Sequence, residues 1–283
     1  MPNIPIATFI RTNHFGQQER DLANALSTGI GGPVTIICDE SAGIVNTGLS
    51  LKVSLNDETP RMLNLGPLHH KWQWLWGDVC LYAARESVPN ADWYVLVEND
   101  VFLTHRAAKV VQTLLSESDL KALACNLGSI TSPPPFSKDL EQFGIAPDVG
   151  CIFAFVCVRG EVIDAMIELR REVQKSSQLR INDEAVLAAT VRRYGYAAGD
   201  LYKLAPQLFS PEWFETNPPH LFEALLAKDD NERVVHPAVP FHVVLSRIRS
   251  GKKGYGRRRL RSVLEEAPID MQLQIRQALS ERK

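Results

Sequence analysis

Two carboxylates end an apolar run in the first half of the chain, in the tripeptide Glu98-Asn99-Asp100. The preceding residues, 93–97, are aromatic or branched and have the length of a buried strand. A charged group at the end of a strand that is buried on both faces needs solvent, a cation or a ligand beside it. We therefore predict that this tripeptide, the acidic tip, forms the floor of a binding site. Ligands bind at the carboxyl ends of strands in open α/β sheets, and hard oxygen ligands suit a divalent metal. The alternative is a polar turn in which Asp100 caps a helix that begins near His105.

A second acidic pair, Asp183-Glu184, follows Asn182 and begins a predicted helix that ends at Gly195. A carboxylate at the start of a helix beside a site suits a general base, which accepts a proton during the reaction. The alternative is that Asn182 or Asp183 is simply the N-cap and that Glu184 interacts favourably with the helix dipole.

The first forty residues predict a βαβ unit, with strands near residues 4–10 and 33–38 and a helix between them. Polar residues follow both strands: Arg11 and Thr12 after the first, and Asp39 after the second. In a nucleotide-binding unit of this kind, these positions face the base and ribose. The chain has no GxGxxG here, so a dinucleotide fingerprint is not indicated.

The segment 66–76, GPLHHKWQWLW, combines two histidines, a lysine and three tryptophans. One helix continuing through Lys71 and Asp78 would have a polar and an aromatic face. We expect Lys71 to pair with phosphate and Asp78 to contact the ligand, while at least one of Trp72 and Trp76 belongs to the core. The two histidines are weaker candidates for metal ligands.

The rest of the chain is predicted to alternate apolar strands and amphipathic helices, with proline-rich connections between them. We expect the Ser/Pro-rich loop among these connections to cover a site. The predicted elements are a helix at 105–116, strands at 121–127 and 150–158, a Ser/Pro-rich loop at 129–135, a helix at 161–173, extended segments at 196–204 and 234–244, a loop at 209–222 and an amphipathic helix at 262–283.

The composition is that of an ordinary globular protein, with 45% hydrophobic and 23% charged residues among 283 and a formal net charge of -2. A polyanion-binding role for the whole molecule is therefore not indicated. Five cysteines without a CxxC pair fit buried free thiols in a reducing compartment and argue against a zinc site. With no membrane-spanning run and no secretion signal, we expect a cytoplasmic protein.

A basic run occupies residues 247–261, whose first and last members are Arg247 and Arg261. It holds eight basic residues and three glycines. Three roles are open for it. It would close as a lid over a diphosphate, contact the inner face of a membrane or another polyanion, or remain a solvated tail. The predicted domains are residues 1–245, an α/β catalytic unit, and residues 246–283, a basic and helical extension.

The order of these features, over roughly residues 4–245, resembles glycosyltransferases of the GT-A fold. Glu98-Asn99-Asp100 takes the place of the family's DXD motif, with Glu instead of Asp at the first position. The resemblance implies a GT-A-like (Rossmann-like) α/β fold with a mixed, mostly parallel sheet flanked by helices. It also matches Asp183-Glu184 to the family's catalytic carboxylates.

The resemblance further implies transfer of a sugar, hexosyl or related, from a nucleotide-diphosphate-sugar donor to a hydroxyl of a saccharide or glycan-precursor acceptor. Asp100 and a late histidine, His236 or alternatively His242, would hold Mn²⁺ or Mg²⁺. The implied donor-binding residues are Arg11, Thr12, Asp39, Lys71, Asp78, Glu98 and Asn99.

Two other hypotheses compete with this one. The basic run would give salt-dependent binding to nucleic acid or membranes, although Tyr255 is its single stacking aromatic and no specific nucleic acid is expected. A GT-A-like domain without catalysis would only bind a carbohydrate or a partner. The Glu at the first motif position leaves that second alternative open.

Overall fold

The computed structural model describes residues 5–130, 135–175, 178–228, 232–252, 255–256 and 260–281. One sheet has seven strands, and a second sheet has two. In chain order the strands of the larger sheet are β1 (Ile6–Thr12), β2 (Val34–Asp39), β3 (Leu51–Leu55), β4 (Trp93–Glu98), β5 (Ala122–Ser129), β6 (Val149–Arg159) and β7 (Ala198–Asp200). The smaller sheet pairs β8 (His220–Leu221) with β9 (Ala238–Val239).

The helices are α1 (Gln17–Ile30), α2 (Glu58–Met62), α3 (Trp72–Leu75), α4 (Asp78–Ser87), α5 (His105–Glu117), α6 (Gly160–Val173), α7 (Asp183–Tyr194), α8 (Leu201–Leu204), α9 (Phe222–Leu226), α10 (Phe241–Arg249), α11 (Arg261–Glu266) and α12 (Ile269–Glu281). Most of them connect the strands, and α10, α11 and α12 follow the last strand. A 3₁₀ helix, Pro135–Phe143, follows β5.

The larger sheet has the spatial order β3-β2-β1-β4-β6-β5-β7. β6 runs antiparallel to both of its neighbours, and the other six strands are parallel. The prediction of an α/β fold with a mixed, mostly parallel sheet flanked by helices is therefore confirmed. The central strands β4 and β6 are buried on both faces, which explains why their sequences are continuous apolar runs rather than alternating ones.

Apolar stripes of the helices cover the two faces of the sheet. α1 and α5 pack on one face through residues such as Leu26 and Val111. On the other face, α4, α6 and α7 pack through residues such as Leu81, Met166 and Leu187. Burying these faces supplies the main driving force for folding, at roughly 25 cal/mol per Å² of apolar surface.

One edge of the sheet collects polar residues from several strands. The parallel strands β1, β2 and β4 end there at Thr12, Asp39 and Glu98. β6 points the other way, with Phe155 opposite Val97, so its first half extends along the same edge. This edge is the one at which the acidic tip was predicted to form a site.

Several segments differ from their predictions. The single helix expected through residues 71–82 is instead α3 and α4, interrupted at Trp76 and Gly77. The extended segment expected at 234–244 ends at Pro240, where α10 begins. The apolar spacing of α10 continues beyond residue 244, so the prolines before it obscured its helical period. Residues 196–204 contain a short strand and a helical turn rather than one extended stretch.

The C-terminal helices form a small core of their own. α10, α11 and α12 contribute Val244, Val263 and Ile275 to it, and Leu221 joins from β8. α10 runs across the predicted boundary between residues 245 and 246, and the division into two domains stays a prediction. The helix expected over residues 262–283 is two helices, α11 and α12, with Ala267 and Pro268 between them.

The structure also bears on the expected state of the cysteines and on the expected lack of a membrane-spanning segment. All five cysteines are buried and free. Across the described stretches of the chain, no helix combines the length and the apolar character that crossing a membrane requires.

The basic run at residues 247–261 is described only in part, because residues 253–254 and 257–259 lie outside the described ranges. Its expected roles as a lid or a polyanion contact therefore stay predictions.

Candidate functional site

A cavity of about 560 Å³ opens at the polar edge of the sheet. It combines acidic, amide and aromatic side chains from the ends of four strands and from α7. Its lining residues are Arg11, Thr12, Asn13, Asp39, Gln73, Trp74, Leu75, Glu98, Asn99, Phe136, Ile152, Phe153, Ala154, Asn182, Asp183, Glu184, Thr216 and His236.

Three candidate metal ligands converge beside this cavity. One ligand atom each from Glu98, Asp100 and His236 lies within 4.8 Å of the other two. The first two residues stand at the end of β4. The backbone brings in the third, because Val235 pairs with Phe102 and the Ala238 N–H donates to the Asp100 carbonyl at 2.6 Å.

The chemistry of this trio fits a divalent cation. Asp100 Oδ1 and His236 Nδ1 are buried and have no hydrogen-bond partner among the described residues. His236 Nε2 lies 3.4 Å from Asp100 Oδ1. Buried polar atoms are normally satisfied, so unpartnered ones need an explanation such as an ion. Two carboxylates and an imidazole suit Mn²⁺, and the carboxylates also suit Mg²⁺.

The charges of this pair stabilise each other. Burial alone raises the pKa of the Asp100 carboxyl, but the adjacent His236 imidazole outweighs it and the net pKa is lowered. Burial lowers the pKa of His236, and Asp100 outweighs that effect, so its net pKa is raised. Each group thus favours the charged form of its neighbour, as expected for an ion pair, and a cation held by His236 would displace the imidazolium proton.

The alternative role of Asp100 as a helix cap is wrong. Thr104 is the N-cap of α5, and its side-chain oxygen accepts a hydrogen bond from the Ala107 N–H at 3.3 Å. A hydroxyl at this position satisfies one of the unpaired N–H groups at the helix start. Asp100 is therefore not needed to begin the helix. His242, the alternative late histidine, is exposed in the first turn of α10 and is not part of the trio.

Arg11 lies between two of the carboxylates. Its Nη1 is 2.9 Å from Glu98 Oε1 and 3.6 Å from Asp183 Oδ2. Its Nη2 donates to the Gln73 carbonyl at 2.6 Å, which fixes the start of α3 over the strand ends. Burial opposes the charged guanidinium, but Glu98 and Asp183 more than compensate, and the pKa of Arg11 is raised. The guanidinium therefore orients acidic residues and also lines the cavity.

The two acids at the start of α7 differ in their surroundings. Asp183 is buried, and its carboxylate accepts hydrogen bonds from the Gly77 N–H at 3.1 Å and the Glu184 N–H at 2.9 Å. Burial raises the pKa of Asp183, and Arg11 opposes that rise. Glu184 is only half-buried and accepts from Asn182 Nδ2 at 2.9 Å.

The pKa of Glu184 is raised, with burial as the largest cause and the nearby Glu98 adding to it. Hydrogen bonding by Asn182 and the proximity of His236 act in the opposite direction. A raised pKa makes a carboxylate a stronger proton acceptor. Asn182 is the N-cap of α7, as its side chain accepts from the Ala185 N–H at 3.0 Å. The cap interpretation is thus confirmed for Asn182, and both acids lie in the first turn of α7, where the helix dipole favours negative charge.

Three other predicted donor-binding residues also line the cavity. Asp39 ends β2 and accepts from the Ser41 N–H at 3.0 Å. Thr12 donates its hydroxyl to the His14 carbonyl and so closes the turn after β1. Asn99 donates to Glu19 Oε1 at 2.9 Å, which holds the acidic tip against α1.

Asp78 and Lys71, which were predicted to contact the ligand, do not line the cavity. Asp78 is 0% exposed, and its carboxylate accepts from Arg170 Nε and Nη2 at 2.8 Å each. Its position at the start of α4 points into the core, because the break at Gly77 turns the chain there. Lys71 is exposed and is not among the residues that line the cavity.

No protein-family model matches the chain, and no curated protein matches it either. Solved structures with similarity to it include two glycosyltransferases. The mouse xyloside xylosyltransferase 1, in its apo form, aligns over 69% of this chain and 85% of its own at 6% identity and a TM-score of 0.39. A glycosyltransferase involved in the glycosylation of the major capsid of PBCV-1 aligns over 82% and 94% at 12% identity and a TM-score of 0.36. At these scores the two similarities say nothing of activity or substrates.

Several lining residues have no counterpart in the sequence predictions. Trp74 and Phe136 lie on the rim, and Phe153 comes from β6. Gln73 contributes through its carbonyl. Trp74 had a signal in the sequence, since it alternates with Trp72 and Trp76 and so faces away from them in a helix. Phe136 follows a proline run and carried no periodic signal.

Proposed function

We propose that this protein transfers a sugar from a nucleotide-diphosphate-sugar donor to a hydroxyl group of a saccharide acceptor. The observation that carries the proposal is the convergence of Glu98, Asp100 and His236 beside a cavity that also presents Glu184. The resemblance of Glu98-Asn99-Asp100 to a DXD motif supports the same assignment.

Glu98, Asp100 and His236 would hold Mn²⁺ or Mg²⁺. When bound, such a cation neutralises charge that develops on a diphosphate leaving group. Within the described part of the chain, this is the one cluster of three potential ligands. Asp39 and Thr12 lie two strands or fewer from β4 along the same edge, where a nucleoside would extend from the diphosphate.

Glu184 is the residue we assign to proton removal from the acceptor hydroxyl. It is more accessible than Asp183, and its raised pKa favours proton uptake. We assign Asp183 a positioning role, because Arg11 and the Gly77 N–H hold its carboxylate in place. Arg11 also holds Glu98, so that one guanidinium orients acids on both sides of the cavity.

A thermal-shift panel tests the proposal. The full chain is mixed with UDP, GDP, CDP or ADP, with and without Mn²⁺. We expect one nucleotide to raise the Tm only when Mn²⁺ is present. Saturation at 100 times Kd contributes about 2.7 kcal/mol, or a Tm rise of roughly 5 °C or more for a chain of this size. Release of that nucleotide from its sugar conjugate should follow the same metal dependence.

Two variants make the test specific. Asp100→Ala should abolish the metal-dependent shift, because it removes a carboxylate from the trio. Asp119→Ala removes an equally charged but exposed side chain outside the cavity and should leave the shift intact. A shift that persists in Asp100→Ala contradicts the metal assignment. The absence of a shift with every nucleotide contradicts transfer from a nucleotide sugar.

A further inference from the structure

Trp74 is exposed in a segment whose other tryptophans are core residues. Its side chain is 62% exposed, whereas Trp72 and Trp76 are 4% and 1% exposed. α3 turns these two and Leu75 inward, which leaves Trp74 on the outer surface. The core therefore does not require an indole at position 74. Ligand pockets are commonly lined by aromatic side chains, so an exposed indole that lines a polar cavity is available to contact a ligand.

The ring of Trp74 has a defined partner across the rim of the cavity. Its centroid lies 5.4 Å from that of Phe136, at an interplanar angle of 83°. Both residues line the cavity that holds Glu184. The backbone beside Trp74 is fixed, since the Gln73 carbonyl accepts from Arg11 at 2.6 Å. The aromatic pair is thus anchored to the same arginine that orients Glu98 and Asp183.

We propose that Trp74, held by its edge-to-face contact with Phe136, forms a stacking platform for a pyranose ring of the acceptor saccharide. This inference rests on the proposed sugar transfer, and it assigns the acceptor to a class: saccharides that present a face of C–H bonds. The negative face of an aromatic ring attracts such weakly positive C–H groups, and the burial of both apolar faces adds to the binding. Glu184 in the same cavity would then meet a hydroxyl of the stacked sugar.

The position of the platform favours an acceptor sugar over a nucleobase. Phe136 follows β5 and Phe153 lies on β6, which places these two aromatics in the β5–β6 half of the sheet edge, and Trp74 on α3 reaches Phe136 from the side of β1. Asp39 ends β2, which lies on the opposite side of β4 from β6. The metal-ligand trio stands at the end of β4 between the two halves. A donor that spans the trio and Asp39 leaves the aromatic half for the acceptor.

Saturation-transfer NMR and isothermal titration with the full chain test this inference. The probes are methyl pyranosides and β-linked disaccharides of glucose, galactose, xylose, mannose and N-acetylglucosamine. We expect at least one to bind the wild type, and Trp74→Ala to weaken that binding about fivefold or more, or ~1 kcal/mol. Trp74→Phe should restore most of the affinity, because it keeps an aromatic face.

A matched control is available in a second exposed aromatic pair. Tyr194 and Tyr196 have centroids 6.1 Å apart and do not line the cavity. Tyr194→Ala should leave saccharide binding unchanged. The melting temperature of Trp74→Ala should stay close to that of the wild type, since the removed side chain is mostly exposed.

The outcomes separate this inference from the proposed function. If no saccharide binds the wild type, or if Trp74→Ala binds as well as the wild type, the platform is refuted. If Trp74→Ala weakens a nucleoside diphosphate but not a saccharide, the stacked group is a base and the acceptor assignment is overturned. If no nucleotide binds while saccharide binding depends on Trp74, the platform stands and the donor assignment fails.

Discussion

Removing one partner of the buried Asp78–Arg170 pair should destabilise the protein strongly. Both side chains are 0% exposed, and Arg170 Nε and Nη2 each donate to Asp78 at 2.8 Å. Arg170 Nη1 also donates to the Ile181 carbonyl at 2.7 Å, just before α7. In Arg170→Met the carboxylate keeps its desolvation cost but loses two charge-assisted hydrogen bonds. Breaking a buried pair in this way costs about 3–5 kcal/mol.

The expected loss is large enough to measure by two independent methods. Each kcal/mol corresponds to roughly 2–3 °C in Tm for a chain of this length, so Arg170→Met should melt about 6–15 °C lower. Urea unfolding followed by circular dichroism should give the same free-energy difference without a change in the m-value. Asp78→Asn should lose a similar amount.

A double variant and a surface control sharpen this test. In Asp78→Asn combined with Arg170→Met no buried charge is left unpaired, so its loss should be clearly smaller than the sum of the single losses. The exposed pair Arg261–Glu265, at 3.0 Å, gives the matched control, and Arg261→Met should change stability by less than about 0.5 kcal/mol. A loss below about 1 kcal/mol in Arg170→Met would refute the reasoning. Unchanged stability with weaker nucleotide binding in Asp78→Asn would show that Asp78 contacts the ligand after all.

Three further predictions concern the site and the helix beside it. Glu184→Gln should lower kcat by about 10²–10⁴ while nucleotide binding persists. Because burial raises the pKa of Glu184, the wild-type rate should fall on the acid side at a pH above the ordinary glutamate pKa, as a pH profile of kcat/KM would show. Gly77→Ala places a Cβ 2.1 Å from Asp183 Oδ2 and should lower both Tm and turnover, whereas Gly256→Ala meets nothing within 4 Å and should not. Thr104→Ala removes the cap of α5 and should cost about 1 kcal/mol in urea unfolding, and an unchanged midpoint would contradict that role.

The strand pattern of this protein was predictable because burial on both faces leaves a direct mark on the sequence. β4 and β6 are continuous apolar runs, and both were expected within a residue or two of their observed bounds. The direction of β6 was not predictable. A strand buried on both faces has the same local pattern whether its neighbours run parallel or antiparallel to it. Only the tertiary connection decides it.

The acidic tip and the start of α7 were predictable for different reasons. Charged residues that interrupt an apolar run need a compensating partner, and this requirement pointed to Glu98 and Asp100. Asp183 was a candidate because it stands at the start of a predicted helix. The roles of individual polar side chains were harder to predict. Asp78 and Asp39 were both predicted to contact the ligand. The break at Gly77 instead directs Asp78 into the core, where it pairs with Arg170. A one-dimensional pattern cannot show on which side of such a break a residue falls.

The side chain of Gln18 bonds to two segments of the chain that are far apart in sequence and are therefore synthesised at different times. Its Nε2 donates to the Asn99 carbonyl at 3.0 Å and to the Ala238 carbonyl at 2.9 Å. The larger sheet is complete once β7 has formed, but the His236 segment follows well after it. Domains begin to fold from the N-terminus during synthesis. A nascent chain would therefore build the sheet and the acidic tip first, and a chain cut off after β7 would lack the third metal ligand. The proposed activity would thus be withheld until the segment that carries His236 has been made.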